Sequence, residues 1–400
     1  MKKLISTLSG KEYPFDRIEE FAENDESLEV LDDSMKEARI QSGDHLLERF
    51  AGFMPFQESG VSVSLGEGNT PLLQAGPLLN QLTGSRQLLL KNETANPTWS
   101  FKDRGTLSCI MMSREMGESI TATISTGNMG HSVAAYAARA GLRALVFVPS
   151  FTPREKIMPI ALHGAEIIRV EAPDYAGMKK QILEMARRLN LRIVSGNGPI
   201  RTEGYKLAAF ELYEQMGGSV PDHILVPVSA CGHIRGIFKG FRELRQAGYI
   251  DRLPRMVVVQ AANNAPIARA IKEGKDHVIP FTHFHTIAEA ITTGNPMGGD
   301  EIIDKASRYG WLAEEVEENE ILEAQAMLAR AGLFVEPASA TSVYALKKLV
   351  ASGHIHPDDK TVVMLTGSGL KDFDVFQHHQ VAVRDLAIDR LESHLEGIVK

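Results

Sequence analysis

The stretch Asn96-Pro97-Thr98-Trp99-Ser100-Phe101-Lys102-Asp103-Arg104-Gly105 carries most of the reading of this chain. Asn96-Pro97 marks a turn out of a strand, because the residue before a proline is pushed away from the helical region. Ser100 is placed to cap a helix that begins near Lys102. A lysine at a helix start sits badly as plain surface charge, since the macrodipole there disfavours cations. Taken alone, Lys102 still reads more often as a surface charge than as a reactive amine. Its company in the rest of the sequence decides between the two.

Outward from that stretch, short apolar segments alternate with amphipathic ones from about residue 86. Strands are expected at 87–91, 120–124, 144–148, 166–170, 192–194, 223–228, 255–260 and 361–365. Helices are expected at 130–140, 153–163, 175–189, 203–216, 234–246, 265–273, 317–331 and 339–351. This alternation predicts an α/β protein with mainly parallel sheets. Residues 1–60 are acidic and mixed, and read as a small N-terminal extension of short elements. Glycine-containing loops stand after four of the strands, at 125–130, 195–199, 229–233 and 366–369. Ligands collect at the carboxyl ends of parallel strands, so these loops stand where a site belongs. None matches a dinucleotide fingerprint or a Walker sequence.

The 400 residues suffice for two or three compact units, with ordinary hydrophobic (44%) and charged (24%) fractions. The net charge of −8 argues against a nucleic-acid partner. It leaves room for a small anion, which backbone N–H groups and one or two cations can hold. Two cysteines, Cys109 and Cys231, exclude a disulfide framework and fit a reducing compartment. The start, Met1-Lys2-Lys3-Leu4-Ile5, has too short an apolar run for a secretory signal, and no run is long enough to span a bilayer. A cytoplasmic protein without membrane contact is expected.

Four further motifs keep company with Lys102. They are Leu65-Gly66-Glu67-Gly68-Asn69-Thr70-Pro71-Leu72, the loop 125–130, the stretch 226–233, and Leu365-Thr366-Gly367-Ser368-Gly369-Leu370-Lys371-Asp372. With the lysine stretch they stand in an order that resembles the threonine synthase family, within the fold-type II enzymes that use pyridoxal 5′-phosphate (PLP). The resemblance covers about residues 60–375, with Trp99 where a glycine is common. It implies a tryptophan synthase β-like fold of two α/β domains with the active site between them. The large PLP-binding domain would comprise 61–105 and 200–400, and a small substrate-closing domain 106–199.

The resemblance also implies roles. Lys102 would hold PLP as a Schiff base and then serve as general base. Asn128 would bond the cofactor's phenolate oxygen. Ser229, Ala230, Cys231, Gly232 and His233 would wrap its phosphate ahead of the helix 234–246. Thr366 would face the pyridine nitrogen without forcing it to be protonated. Ser125, Thr126, Gly127, Asn128 and Met129 would embrace a substrate carboxylate, and Arg201 would bind a substrate phosphate. Their plain readings are turn residues for Asn128 and Thr366, a surface arginine for Arg201 and a packing residue for Cys231. The implied enzyme is a carbon–oxygen lyase converting O-phosphohomoserine and water to threonine and phosphate. Its partner would be a small, phosphorylated amino acid, and its assembly a homodimer. The alternative keeps PLP and changes the substrate: a serine or threonine dehydratase, an ammonia-lyase or a phosphoserine-using synthase. A non-catalytic, metabolite-binding relative is a third reading.

The substrate half of the pattern departs from the family. Ser195 and Gly196 stand where Asn and Ser are usual, and Ala230 lacks a polar side chain. His233 replaces an amide and would add a donor or a cation. Gly294-Asn295-Pro296 persists, but Met297-Gly298-Gly299-Asp300 after it is atypical. Ser6 and Ser9 occupy the two positions of a cysteine pair that begins many family members, so no zinc is expected. The histidines of 281–285 and His378-His379 lack a ligand spacing for any metal.

Overall fold

A segment such as Ile224-Leu225-Val226 is apolar on both faces, which suits a strand covered by helices on both sides. A computed structural model of the chain describes residues 2–15, 19–23, 25–58, 60–172, 175–372, 374–379 and 383–399, and places such strands at its centre. At the N-terminus β1 (Lys2–Ser6) pairs antiparallel with β2 (Glu12–Pro14) and β3 (Leu28–Asp32), and α1 (Leu46–Arg49) follows. Leu4, Leu28 and Val30 of this sheet pack with Cys109, Met112 and Ile200. Next come β4 (Leu72–Gln74), α2 (Pro77–Thr83), β5 (Leu88–Asn92) and α3 (Lys102–Glu115), which the motif lysine heads.

The middle of the chain runs through β6 (Ile120–Ile124), α4 (Asn128–Ala140), β7 (Arg143–Pro149), α5 (Arg154–Ala161), β8 (Glu166–Val170) and α6 (Tyr175–Arg188). Its strands form a parallel sheet in the order β6-β7-β8. The rest comprises α7 (Pro199–Tyr205), α8 (Leu207–Gln215), β9 (His223–Pro227), α9 (Gly232–Gln246), β10 (Arg255–Ala261), α10 (Pro266–Lys272) and α11 (Gly299–Tyr309). It closes with β11 (Leu312–Val316), α12 (Glu318–Arg330), α13 (Pro337–Ala351), β12 (Thr361–Leu365) and α14 (Ile388–Val399). A six-stranded sheet orders these as β11-β10-β9-β12-β5-β4, parallel except for the pairing of β4 with β5. The α/β class with mainly parallel sheets is thus as the sequence indicates.

The order of the central strands positions the site. β12 lies between β9 and β5, so the loops that leave these three strands at their carboxyl ends emerge side by side. Those loops carry residues 229–233, 366–369 and the lysine stretch.

Three local expectations change, and some elements were not anticipated. Residues 192–194 form no strand; Ile193 makes a single parallel bridge to Ala122. The helix expected over 203–216 is two helices, α7 and α8. Pro199 starts α7 early, because its missing N–H costs nothing at a first turn. An i+3 bond from Ala209 N–H to Lys206 O tightens the junction, where the buried Lys206 amine reaches Glu203, Glu243 and Phe53 O. The three N-terminal strands, α11 and β11 escape the sequence pattern; β11 carries Glu314 and Glu315, which Lys272 and Arg269 neutralise. Ser100 does not cap α3. Its backbone is committed to a bridge with Gly367, Phe101 flanks the helix, and the Ser100 hydroxyl is buried without a partner among the described residues. Among the described residues no helix is long and apolar enough to cross a membrane.

Candidate active site

The lysine stretch is stitched to the loop after β12. Phe101 N–H donates to Thr366 O (3.0 Å), and Ser368 N–H donates to Trp99 O (3.0 Å). Trp99 has φ +62°, which explains why glycine suits this position: a Cβ makes the left-handed region costly by about 1–2 kcal/mol.

Lys102 follows directly. Its amine sits 4.0 Å above the centroid of the Phe101 ring. Burial takes its pKa down to about 7; Arg201 and Lys371 push the same way and Glu336 opposes them. The amine is thus poised between its charged and nucleophilic forms near neutral pH. Phe101 in turn stacks on His233, with ring centroids 3.9 Å apart. That imidazole is buried and driven down to about 3, so it is neutral and brings no cation. Both its nitrogens lack a hydrogen-bond partner among the described residues.

Arg201 is wholly buried, which removes the surface-arginine reading. It can lie there because Gly105 and Gly204 let α3 and α7 cross closely; a Cβ on Gly105 would come within 2.6 Å of Arg201 Cγ. Arg201 Nη1 donates to Thr106 Oγ1 (3.1 Å) and reaches Lys102 O at 3.5 Å. Its Nε and Nη2 have no acceptor among the described residues. An arginine kept buried with free donors suits an anion, since unmet burial of such a group is expensive.

The 229–233 loop opens α9. Cys231 takes a left-handed φ of +71° and Gly232 begins the helix; Gly232 N–H donates to Ala230 O (3.0 Å), and the next N–H groups of the first turn have no intrahelical acceptors. Gly232 abuts Gly196 O so closely that any Cβ there would collide. Ser229 Oγ bonds Thr293 Oγ1 (2.8 Å), and Cys231 is buried with its thiol pushed up by desolvation, as a packing residue would be. These features fit a cofactor phosphate at the helix start.

At the head of α4, Ser125 Oγ accepts from Gly127 N–H (3.3 Å), Gly127 is exposed, and Thr126 and Met129 are half-buried. Asn128 leaves this group to meet the far side of the site: its Nδ2 donates to Glu336 Oε2 at 2.9 Å. Thr366 is buried, with Oγ1 2.7 Å from Ser339 Oγ. Three residues here have no role that the sequence pattern assigns: Glu336, Ser339 and Lys371. Glu336 flanks the start of α13 ahead of Pro337 and lies against Gly367. Lys371 donates to Thr98 O (2.7 Å), and burial lowers its amine to about 8. Lys371 was visible inside the C-terminal motif. The pair Glu336-Pro337 was visible only as a helix start.

The chain is similar to known proteins in both sequence and fold. The sequence profile of the family described as "Pyridoxal-phosphate dependent enzyme" matches residues 63–367. Threonine synthase from Methanocaldococcus jannaschii is 37% identical over 373 residues, covering 91% of this chain and 92% of that protein. Threonine synthase from Methanosarcina acetivorans is 35% identical, covering 88% and 87%. A fungal L-serine ammonia-lyase from Rhizomucor miehei superposes with a TM-score of 0.66 at 20% identity, over 78% of this chain and 99% of that one, a likeness of fold.

Proposed function

This chain belongs to the threonine synthase family of pyridoxal-phosphate dependent enzymes, and from that premise we propose that it converts O-phosphohomoserine and water to threonine and phosphate. The observation that carries this reading is the Lys102 amine, brought near neutrality beside a buried Arg201 that keeps two donors free. Pyridoxal phosphate, when bound, supplies an electron sink next to the amino acid's α-carbon. The residues of the chain do the rest. The Lys102 amine would hold the cofactor covalently. When free, the same amine would serve as general base for the protons at Cα and Cβ, a task for a base whose pKa lies near the working pH.

First-turn N–H groups from the 229–233 loop hold the cofactor phosphate, Asn128 holds its phenolate oxygen, and Thr366 faces its pyridine nitrogen. Ser125, Thr126, Gly127 and Met129 take the substrate carboxylate, and Arg201 takes the phosphate that leaves from Cγ. In this reading residues 106–199 form the small domain that closes over 61–105 and 200–400, and two copies assemble as a homodimer, which sedimentation equilibrium tests. The reaction is tested by incubating holoenzyme with O-phosphohomoserine. Threonine and inorganic phosphate in equal amounts are expected. No product from that substrate, with ammonia and an oxo acid released from serine or threonine instead, overturns the reading in favour of an eliminating relative.

A further inference from the structure

The N-terminal extension reaches the loop that leads into Arg201, the residue that this reading gives to substrate phosphate. The Glu20 carboxylate accepts two bonds from Ser195, from its N–H at 3.0 Å and from its Oγ at 2.7 Å. It also lies against Gly198, where any Cβ would collide with it. The contact belongs to a built seam. Asn197 Nδ2 donates to Ser27 Oγ (3.2 Å) and to Met297 O (3.0 Å), while Arg235 Nη1 donates to Asn197 O (2.9 Å) and Oδ1 (2.7 Å). From the other side the loop packs on residues 229–233, with a Cβ on Gly196 coming to 3.1 Å from Ala230 Cβ. Glu20 therefore stands one loop away from the cofactor's phosphate loop and at the loop that leads into Arg201.

A carboxylate on an N–H and an O–H makes the bonds that a phosphate oxygen would make there, with the same sign of charge. Gly196 and Ala230 add no side-chain donors, so Ser195 is the hydroxyl that this end of the site offers. Two anions cannot share it without repulsion.

We propose that Glu20 is a specificity-determining residue, a carboxylate of the N-terminal extension that holds Ser195 where a substrate phosphate would bind. A phosphorylated substrate must displace it, and an unphosphorylated amino acid need not. The inference rests on the reading that Arg201 takes the substrate's phosphate, and it adds Ser195 to that pocket.

The test uses PLP-loaded full-length protein with Glu20→Gln, Glu20→Asp and the double change Glu20→Gln with Ser195→Ala. Two quantities are measured: KM and kcat for O-phosphohomoserine, and the dissociation constant of inorganic phosphate by calorimetry. Removing one charge at hydrogen-bond range should tighten phosphate by roughly tenfold or more. Glu20→Gln should lower KM and the phosphate constant together while kcat changes less than their ratio. Glu20→Asp keeps the charge and should stay with the wild type, and the double change should lose the gain. Unchanged or weaker phosphate binding in Glu20→Gln overturns the proposal. If phosphohomoserine is turned over by neither protein yet phosphate tightens in Glu20→Gln, the proposed reaction fails and the role of Glu20 stands.

Discussion

Ser339 Oγ lies 2.7 Å from Thr366 Oγ1, and the backbone fixes which of the two hydroxyls donates. Ser339 Oγ accepts from Thr366 N–H and Gly367 N–H, both at 2.9 Å. Its two lone pairs are then used, so its hydrogen must point outward, and Thr366 Oγ1 is the nearer of its two acceptors, Gly367 O lying at 3.3 Å. The Thr366 hydrogen is left free to donate into the site, which suits an unprotonated pyridine nitrogen. Ser339→Ala would orphan two buried N–H groups at about 1–3 kcal/mol each. We expect a clear fall in melting temperature together with weaker retention of PLP on dialysis. A variant that melts and holds cofactor like the wild type would refute this polarity.

The pKa of Lys102 makes cofactor uptake depend on pH in a stated direction. Burial brings the amine from 10.5 to about 7, so it is protonated and unreactive below that pH and free above it. The rate at which apoenzyme takes up PLP, followed by absorbance, should rise through about pH 7 and then level off. A rate still climbing toward pH 10.5 would show an ordinary amine. Between those values the unfolded chain holds a proton that the folded apoenzyme has lost, so stability rises with pH across this window and the gain is absent below 7. Lys102→Met should flatten both profiles.

Glu336 positions Asn128. The Asn128 amide carries two hydrogens, and Glu336 Oε2 takes one at 2.9 Å, which leaves the second aimed by the first. The carboxyl is buried, and desolvation raises its pKa against the bond from Asn128. Glu336→Gln can offer an N–H₂ in place of the acceptor and so lose the aim. Losing one such bond is worth about 1.5–3 kcal/mol, or roughly ten- to a hundredfold in kcat, with KM little changed. The absorbance maximum of bound PLP should move as well. A wild-type spectrum and rate in this variant would remove Glu336 from the positioning of Asn128.

What could be read from sequence was what sits in a loop directly behind a strand. The 229–233 loop and Thr366 are of that kind, and Lys102 heads the helix that follows such a stretch: the strand pattern locates these positions, and the family resemblance implies their chemistry. Glu336 is different, because its meaning depends on where the start of α13 lands against Gly367, which no local pattern encodes. Ser100 misled for the same reason, since a long-range bridge claimed its backbone before it could cap. The N-terminal sheet was illegible because its short strands have mixed, partly polar faces, and their apolar residues find Cys109 and Ile200 only in three dimensions.

Arg104, two residues after the lysine, anchors the turn that carries it. Nε and Nη2 bond Glu93 at 2.6 and 2.7 Å, Nη1 bonds Glu211 at 2.9 Å, and Lys91 pairs with Glu211 from the other side. All four side chains are buried. Removing one partner strands a buried charge, at about 3–5 kcal/mol. Arg104→Met should lose that much by denaturant unfolding, and Arg104→Lys nearly as much, because an ammonium cannot span two carboxylates as the fork does. Burial alone would raise Glu93, yet Arg104 and Lys91 hold it down at about 2 against an ordinary 4.5. Its contribution is therefore complete above pH 4.5 and lost as the pH falls toward 2. Arg104→Met should flatten that acid limb as well as lower the plateau. A variant with wild-type stability, or with the acid limb unchanged, would show that α3 is held by its apolar packing alone.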